Sequence, residues 1–286
     1  MEYSIRKDCR DDSALRQSFN ALAQKTFGLN FESWYQHGFW NGDYIPYVLT
    51  LDGEAAANVS VNRMRCLLDG QERNYIQLGT VMTRQDCRGR GYSRLLMEEV
   101  LRENRNCDGI FLFANDTVLD FYPKFGFRQT QEFRFRREIA GAFCQAVPIP
   151  METREDWMRF LKEKNRRMDA GVPQMGTNDL LMFYLTQFMK RDVFYLPPWD
   201  AYAVAELRDG VLTLYALYTA ADADLSAVCA AFGSSVRRAE LAFTPGNPDG
   251  FERHLYRESD TVFFLQGTTL AQDMERILSF PTLAHA

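Results

Sequence analysis

Arg88-Gly89-Arg90-Gly91-Tyr92-Ser93 is a segment whose residue types and spacing could do chemistry. It follows the strand-like run Leu78-Gly79-Thr80-Val81-Met82-Thr83 and opens a stretch in which Tyr92, Leu96 and Val100 recur at helical spacing, with Leu95, Met97 and Leu101 beside them. Strand, turn, helix is the order an anion needs, because the first N–H groups of a helix have no partner and lie at the positive end of its dipole. Gly89 and Gly91 would let the backbone approach a pyrophosphate, and Arg88 and Arg90 would add charge. An ordinary Arg-Gly turn that binds nothing has the same composition, so the turn alone leaves both readings open.

Two motifs at matched spacing resemble the GCN5-related N-acetyltransferase (GNAT) family. There, Arg or Gln, two residues, Gly, one residue, then Gly or Ala follow the fourth strand; here Arg88, Gly91 and Ser93 hold those positions. Ser93 supplies a hydroxyl that could itself donate to phosphate. In the run from Asn115 to Phe127, Asn115, Tyr122 and the Gly126-Phe127 pair match the family's second signature. The resemblance implies acetyl-CoA as cosubstrate, held by residues 88–93, with the fourth and fifth strands splayed so that pantetheine extends the fourth through Val81 and Thr83. It further implies that Asn115 bonds the pantetheine arm, that an N–H near Met82 steadies the tetrahedral oxyanion, and that Tyr122 protonates the leaving sulfur. A packed aromatic with a satisfied hydroxyl is the competing reading of Tyr122.

The acceptor side is less explicit. Phe27, Phe31, Trp34, Tyr35, Phe39, Trp40, Tyr44 and Tyr47 crowd one stretch together with Glu32 and Asp43, and the resemblance puts this stretch beside the acyl-transfer cleft. Trp34, Trp40 and Asp43 could cage a cationic amine, or the rings could simply pack helices on the sheet. Glu32 or Asp43 could serve as base, or be solvated. His37, His254 and His285 have no spacing that suggests a metal or a triad, and no metal is expected. The first half also resembles the enhanced-intracellular-survival type of aminoglycoside acetyltransferase, which uses its C-terminal carboxylate as base. The apolar segment Phe280-Pro281-Thr282-Leu283-Ala284-His285-Ala286 suggests docking into a groove, from which a carboxylate at Ala286 could reach the cleft.

Positioning these groups requires an α/β (α+β) fold. Apolar spacing predicts two helices across residues 13–37, broken near Gly28, with Asn30 able to cap the second. Three antiparallel strands follow, Tyr47–Leu51, Ala55–Leu67 and Tyr75–Met82, turned by Asp52-Gly53 and Asp69-Gly70. The helix from Tyr92 and a buried strand Gly109–Ala114 imply a parallel pair; Val118–Tyr122 reads as a further helix and Thr130–Arg137 as a strand. Residues 1–144 are thus expected to form the acetyltransferase domain and 145–286 a smaller degenerate copy. That copy would hold helices Trp157–Lys164, Asp179–Lys190 and Asp222–Phe232, and strands Tyr202–Leu207, Val211–Tyr218, Ala239–Phe243 and Val262–Gln266.

Composition narrows the function classes. A charge of −5, from 33 Lys and Arg against 38 Asp and Glu, offers no field for nucleic acid or anionic lipid. The six cysteines form no Cys-x-x-Cys pair, and neither a leader-like apolar core at Met1–Arg10 nor a membrane-length run is found, so a reducing cytoplasm is the expectation. The leading expectation is transfer of acetyl to a primary amine of a small molecule or peptide, with the second half shaping the acceptor pocket or a homo-oligomer contact. A non-catalytic acyl-CoA sensor is the alternative, and a structural interaction protein with a vestigial site a third reading.

Overall fold

The computed structural model describes residues 3–176, 178–258 and 260–286; Met1 and Glu2, the start of the stretch read for a leader, lie outside them. The first sheet holds β1 (Tyr3–Lys7), β2 (Tyr44–Leu51), β3 (Glu54–Leu68), β4 (Gln71–Thr83) and β5 (Gly109–Asn115), side by side in that order. All pairs are antiparallel except β4 with β5, whose parallel pairing is the one the intervening helix requires. The hairpins close where Asp-Gly pairs stand: Asp52 and Gly53 have φ of 50° and 84°, and Asp69 and Gly70 have 48° and 79°, the left-handed pair a two-residue turn demands.

Helix α1 (Ser13–Phe27) starts where Asp12 accepts from Leu15 N and stops at left-handed Gly28. Asn30 accepts from the backbone N–H of Glu32 at the start of α2 (Glu32–Gln36). Helix α3 (Tyr92–Glu103) buries Leu96, Met97 and Val100 against Val59, Val61, Ile76 and Leu78 of the sheet. The expected helix over Val118–Tyr122 is instead two 3₁₀ turns, Asp116–Val118 and Tyr122–Phe125. Asn115 draws the chain back through Thr117, and Pro123 cannot donate a continuing hydrogen bond.

The second half contributes α4 (Arg154–Lys164), α5 (Asp179–Gln187), α6 (Leu225–Ala230) and α7 (Thr268–Ile277). A second sheet is built from β6 (Glu132–Glu138), β7 (Val193–Leu196), β8 (Ala201–Arg208), β9 (Val211–Thr219), β10 (Arg238–Leu241) and β11 (Glu252–Tyr256). Again one pair is parallel, β9 with β10. A last strand, β12 (Thr261–Gln266), leaves the second half and pairs with β5 in the first sheet, while β6 pairs with β10 and β11 in the second. A cut between residues 144 and 145 would therefore open both sheets, because each half closes an edge of the other. The join is aromatic: Phe280 lies parallel on Phe111, ring centroids 4.0 Å apart, and Phe183 of α5 stacks on Phe31. Among the described residues, no helix is long and apolar enough to cross a membrane, and the six cysteines are unbridged.

Candidate acyl-transfer site

Strands β4 and β5 stay hydrogen-bonded only from Tyr75 with Gly109 to Leu78 with Leu112. Beyond that point Phe113–Asn115 pair outward with β12, and Gly79–Thr83 keep β3 as their partner on the other side. The two strands part here, leaving a groove bounded on one side by the main chain of residues 79–83 and entered at Gly79 by Ala286. The fourth and fifth strands thus part, and the register shows a bulge beside the parting. Ser60 pairs with Gly79 but Asn58 with Met82, so β4 carries one extra residue there, a β-bulge, with Thr80 in the left-handed region at φ 46°.

At the mouth of the groove the chain reaches the turn before α3. Gly89 and Gly91 sit at φ of 76° and 81°, with nothing within 4 Å of where a Cβ would stand on either. Gly91 is the N-cap of α3, and neither a side-chain cap nor an acidic residue occupies the first turn, so the leading N–H groups are free for an anion. A hollow of about 270 Å³ lies here, lined among others by Thr83, Arg88, Gly89, Gly91, Tyr92 and Ser93. Arg88 and Arg90 are exposed beside it. The Ser93 hydroxyl bonds Thr83 Oγ1 at 2.6 Å, which ties the helix start to the end of β4. These residues fit a diphosphate.

Asn115 closes β5, and its Oδ1 accepts from the Thr117 N–H and hydroxyl at 3.0 and 2.9 Å, leaving its amide nitrogen for a ligand. Tyr122 lies 4% exposed among Phe121, Phe127 and Phe264. Burial pushes its phenol up to about 12, so the proton is retained at neutral pH.

The acceptor-side expectations fare differently. Trp34 and Trp40 are 0% and 3% exposed, stack on each other at 5.7 Å, and donate their indole N–H groups to the carbonyls of Asp179 and Tyr44. They are core, not a cage: both rings are closed off from solvent, and Phe183 of α5 packs edge-on against Trp34. Glu32 is ion-paired with Arg16 at 2.9 Å and bonded by Asn20 and Gln36; Arg16 holds its carboxyl below the usual range, so it braces α1 against α2. Asp43 faces Arg65 at 3.3 Å, and burial, with the Asp43 carboxylate nearby, pushes Asp179 up to about 7.

The apolar segment at the chain end is docked. Phe280 packs on Phe111, His285 stacks on Phe113 at 3.9 Å, Tyr184 donates to the His285 carbonyl, and Ala286 reaches β4. A Cβ on Gly79 would stand only 2.7 Å from the Ala286 carbonyl oxygen, so only glycine fits there. Asn58 went unnamed in the sequence, while Gly79 and Thr80 stood only within the strand-like run and Tyr44 only within the aromatic stretch, none with a role of its own. An isolated glycine within a strand was the available signal, since it marks a bulge or a close approach.

Residues 14–130 match the acetyltransferase (GNAT) domain family. No curated protein matches the chain. Among solved structures, a conserved protein of unknown function from Enterococcus faecalis V583 superposes with a TM-score of 0.61 at 12% identity, over 96% of this chain and 75% of that one. A GCN5-related N-acetyltransferase from Kribbella flavida gives 0.59 at 18% identity, over 94% and 72%. Eis1 from Mycobacterium abscessus gives 0.58 at 15% identity, over 92% and 73%. The splayed β4–β5 pair and the uncapped turn before α3 thus lie inside residues 14–130, the segment that matches the acetyltransferase (GNAT) domain family, and the fold of nearly the whole chain is shared with these solved structures.

Proposed function

We propose that this chain transfers an acetyl group from acetyl-CoA to a primary amine of a small molecule or peptide, in the reducing cytoplasm. The observation that carries this reading is the unpaired edge of β4 from Gly79 to Thr83, which leads directly to the free N–H groups of α3. In this reading residues 88–93 hold the diphosphate, Val81 and Thr83 pair with the pantetheine amides, and Asn115 Nδ2 bonds the same arm. The amine nitrogen bonds to the acetyl carbon, a main-chain N–H near Met82 steadies the oxyanion, and the carbon–sulfur bond then breaks.

Tyr122 gives its proton to the departing sulfur, a role its neutral phenol suits. The proton lost by the amine goes to water. A screen of an amine panel, with free thiol as readout, tests the activity. Thiol released with one amine class names the acceptor; silence alongside measurable acetyl-CoA binding would replace the enzyme by an acyl-CoA sensor. Tyr122→Phe keeps the ring and removes the proton, so turnover should fall by roughly ten- to a hundredfold with acetyl-CoA affinity unchanged. Unchanged turnover removes Tyr122 from the mechanism.

A further inference from the structure

Thr80 is β-branched and yet left-handed, at φ 46° in the middle of a strand. A threonine holds such a conformation only where its surroundings impose it. Two side chains do so here. The Tyr44 hydroxyl and Thr80 Oγ1 are hydrogen-bonded, and Asn58 Nδ2 donates to the Thr80 carbonyl at 2.9 Å and to Ser60 Oγ at 2.9 Å. Both side chains, and Ser60 behind Asn58, are sealed from solvent: Asn58 and Ser60 are 0% exposed and Tyr44 1%. Phe31, Trp34 and Trp40 wall in the Tyr44 ring, and the Trp40 indole bonds the Tyr44 carbonyl. The aromatic cluster thereby presses one phenol against one side of the bulge while Asn58 grips the other.

We infer that Tyr44 and Asn58 are positioning residues for acetyl transfer. By clamping Thr80 in the left-handed region they turn the peptide units of Thr80, Val81 and Met82 so that a main-chain N–H faces the thioester oxygen. This rests on the acetyl-transfer reading of the same groove. Neither side chain touches the reacting atoms; each acts through the backbone of residue 80. A preset N–H matters because a donor that must reorganise as charge develops contributes little to the transition state. The remainder of the cofactor cradle, residues 88–93 and Asn115, does not depend on the clamp, so cofactor binding and turnover should separate.

The test uses the full-length protein and the amine identified by the thiol screen. Asn58→Ala should lower kcat roughly ten- to a hundredfold, with KM for acetyl-CoA within about twofold of wild type. Tyr44→Phe, which keeps the ring that the core needs, should lower kcat in the same direction by a smaller factor. Thr80→Gly supplies the decisive arm, since glycine adopts the left-handed region without a clamp. The Asn58→Ala/Thr80→Gly protein should regain most of the turnover that Asn58→Ala loses, a recovery that general destabilisation would not produce.

Thermal unfolding of each variant confirms that a folded protein is assayed; if Asn58→Ala does not fold, Tyr44→Phe with and without Thr80→Gly carries the same comparison. Wild-type kcat in both single variants, or a loss that Thr80→Gly leaves untouched, overturns the inference and spares the acetyl-transfer reading. A wild-type protein that releases no thiol with any amine fails the acetyl-transfer reading itself, and the inference with it.

Discussion

Replacing Gly79 by alanine probes the point where the second half reaches the groove. Gly79 is paired with Ser60 and its φ lies outside the left-handed region, so alanine adopts the backbone without strain. Room is what it lacks: a Cβ would stand 2.7 Å from the Ala286 carbonyl oxygen, 2.8 Å from its carbonyl carbon and 2.9 Å from its Cβ. Ordinary contact begins near 3.4 Å, so Ala286 must retreat by about 0.7 Å, against the His285 stack on Phe113 and the Tyr184 hydrogen bond. Overpacking of this kind costs about 1–3 kcal/mol, and the reduced freedom of the unfolded chain returns about 0.4–1 kcal/mol, which leaves a net loss of about 1–2 kcal/mol. The assay is a double-mutant cycle in thermal unfolding: wild type, Gly79→Ala, deletion of Ala286, and both together. With Ala286 gone, the alanine should be neutral or stabilising, so the two changes should couple by about 1–2 kcal/mol. Equal destabilisation in both backgrounds would refute the docking of Ala286 on β4.

The other predictions concern separate parts of the site. Gly91→Ala forces a side chain into φ 81° at the start of α3, at about 1–2 kcal/mol, so acetyl-CoA affinity measured by calorimetry should weaken about tenfold or more; unchanged affinity would move the diphosphate elsewhere. Glu32→Gln leaves the Arg16 guanidinium, 8% exposed, without its anion, and should cost about 1 kcal/mol of stability with no change in turnover. A matching fall in kcat would restore Glu32 as a base. Burial pulls His285 down to about 4, below its unfolded value near 6.5, so the fold favours the neutral ring. The stability this contributes is complete above pH 6.5 and is lost as pH falls towards 4. Amide exchange of residues 280–286 should therefore accelerate across that window, and His285→Phe should flatten the dependence; a slope that survives the substitution assigns it to another group.

What could be read from the sequence is what short-range chemistry determines. Asp52-Gly53, Asp69-Gly70 and Asp209-Gly210 each set both turn residues left-handed, and all three hairpins form where those pairs stand. The Arg88–Ser93 turn was legible because its glycines and the apolar period of α3 are local. The exchange of β6 and β12 between sheets was not, since which edge a strand covers depends on partners about 100 residues and more away in the chain. Helix α7 went unread although Leu270, Met274 and Ile277 are spaced for one buried face, for it opens after Gly267 without any capping side chain. Residue types alone left the aromatic stretch open between cage and core; Phe183, from the other half of the chain, decides it.

The second half repeats the early-parting parallel pair of the first but not its uncapped helix start. Its parallel pair also parts early: β9 and β10 match from Val211 with Arg238 to Leu214 with Leu241, and β9 then runs on to Thr219. Two features fill what the first half leaves open. Where α3 begins with a bare glycine turn, α6 begins with Asp224, whose carboxylate accepts from the N–H groups of Ser226 and Ala227 and takes the place of an anion. Where β4 parts from β5 after Leu78, the chain near Ala242 receives the Thr282 N–H at 3.2 Å, and Thr282 is held in turn by Arg134. From there the same segment crosses to Phe113 and Gly79. The chain beyond β10 thus serves as an anchor: by binding residues near Thr282 it sets how far Ala286 reaches along β4. A change at Arg134 or Thr282 should accordingly shift turnover at a site in the other half while leaving the diphosphate turn intact, and equal losses of turnover and acetyl-CoA affinity would argue against that route.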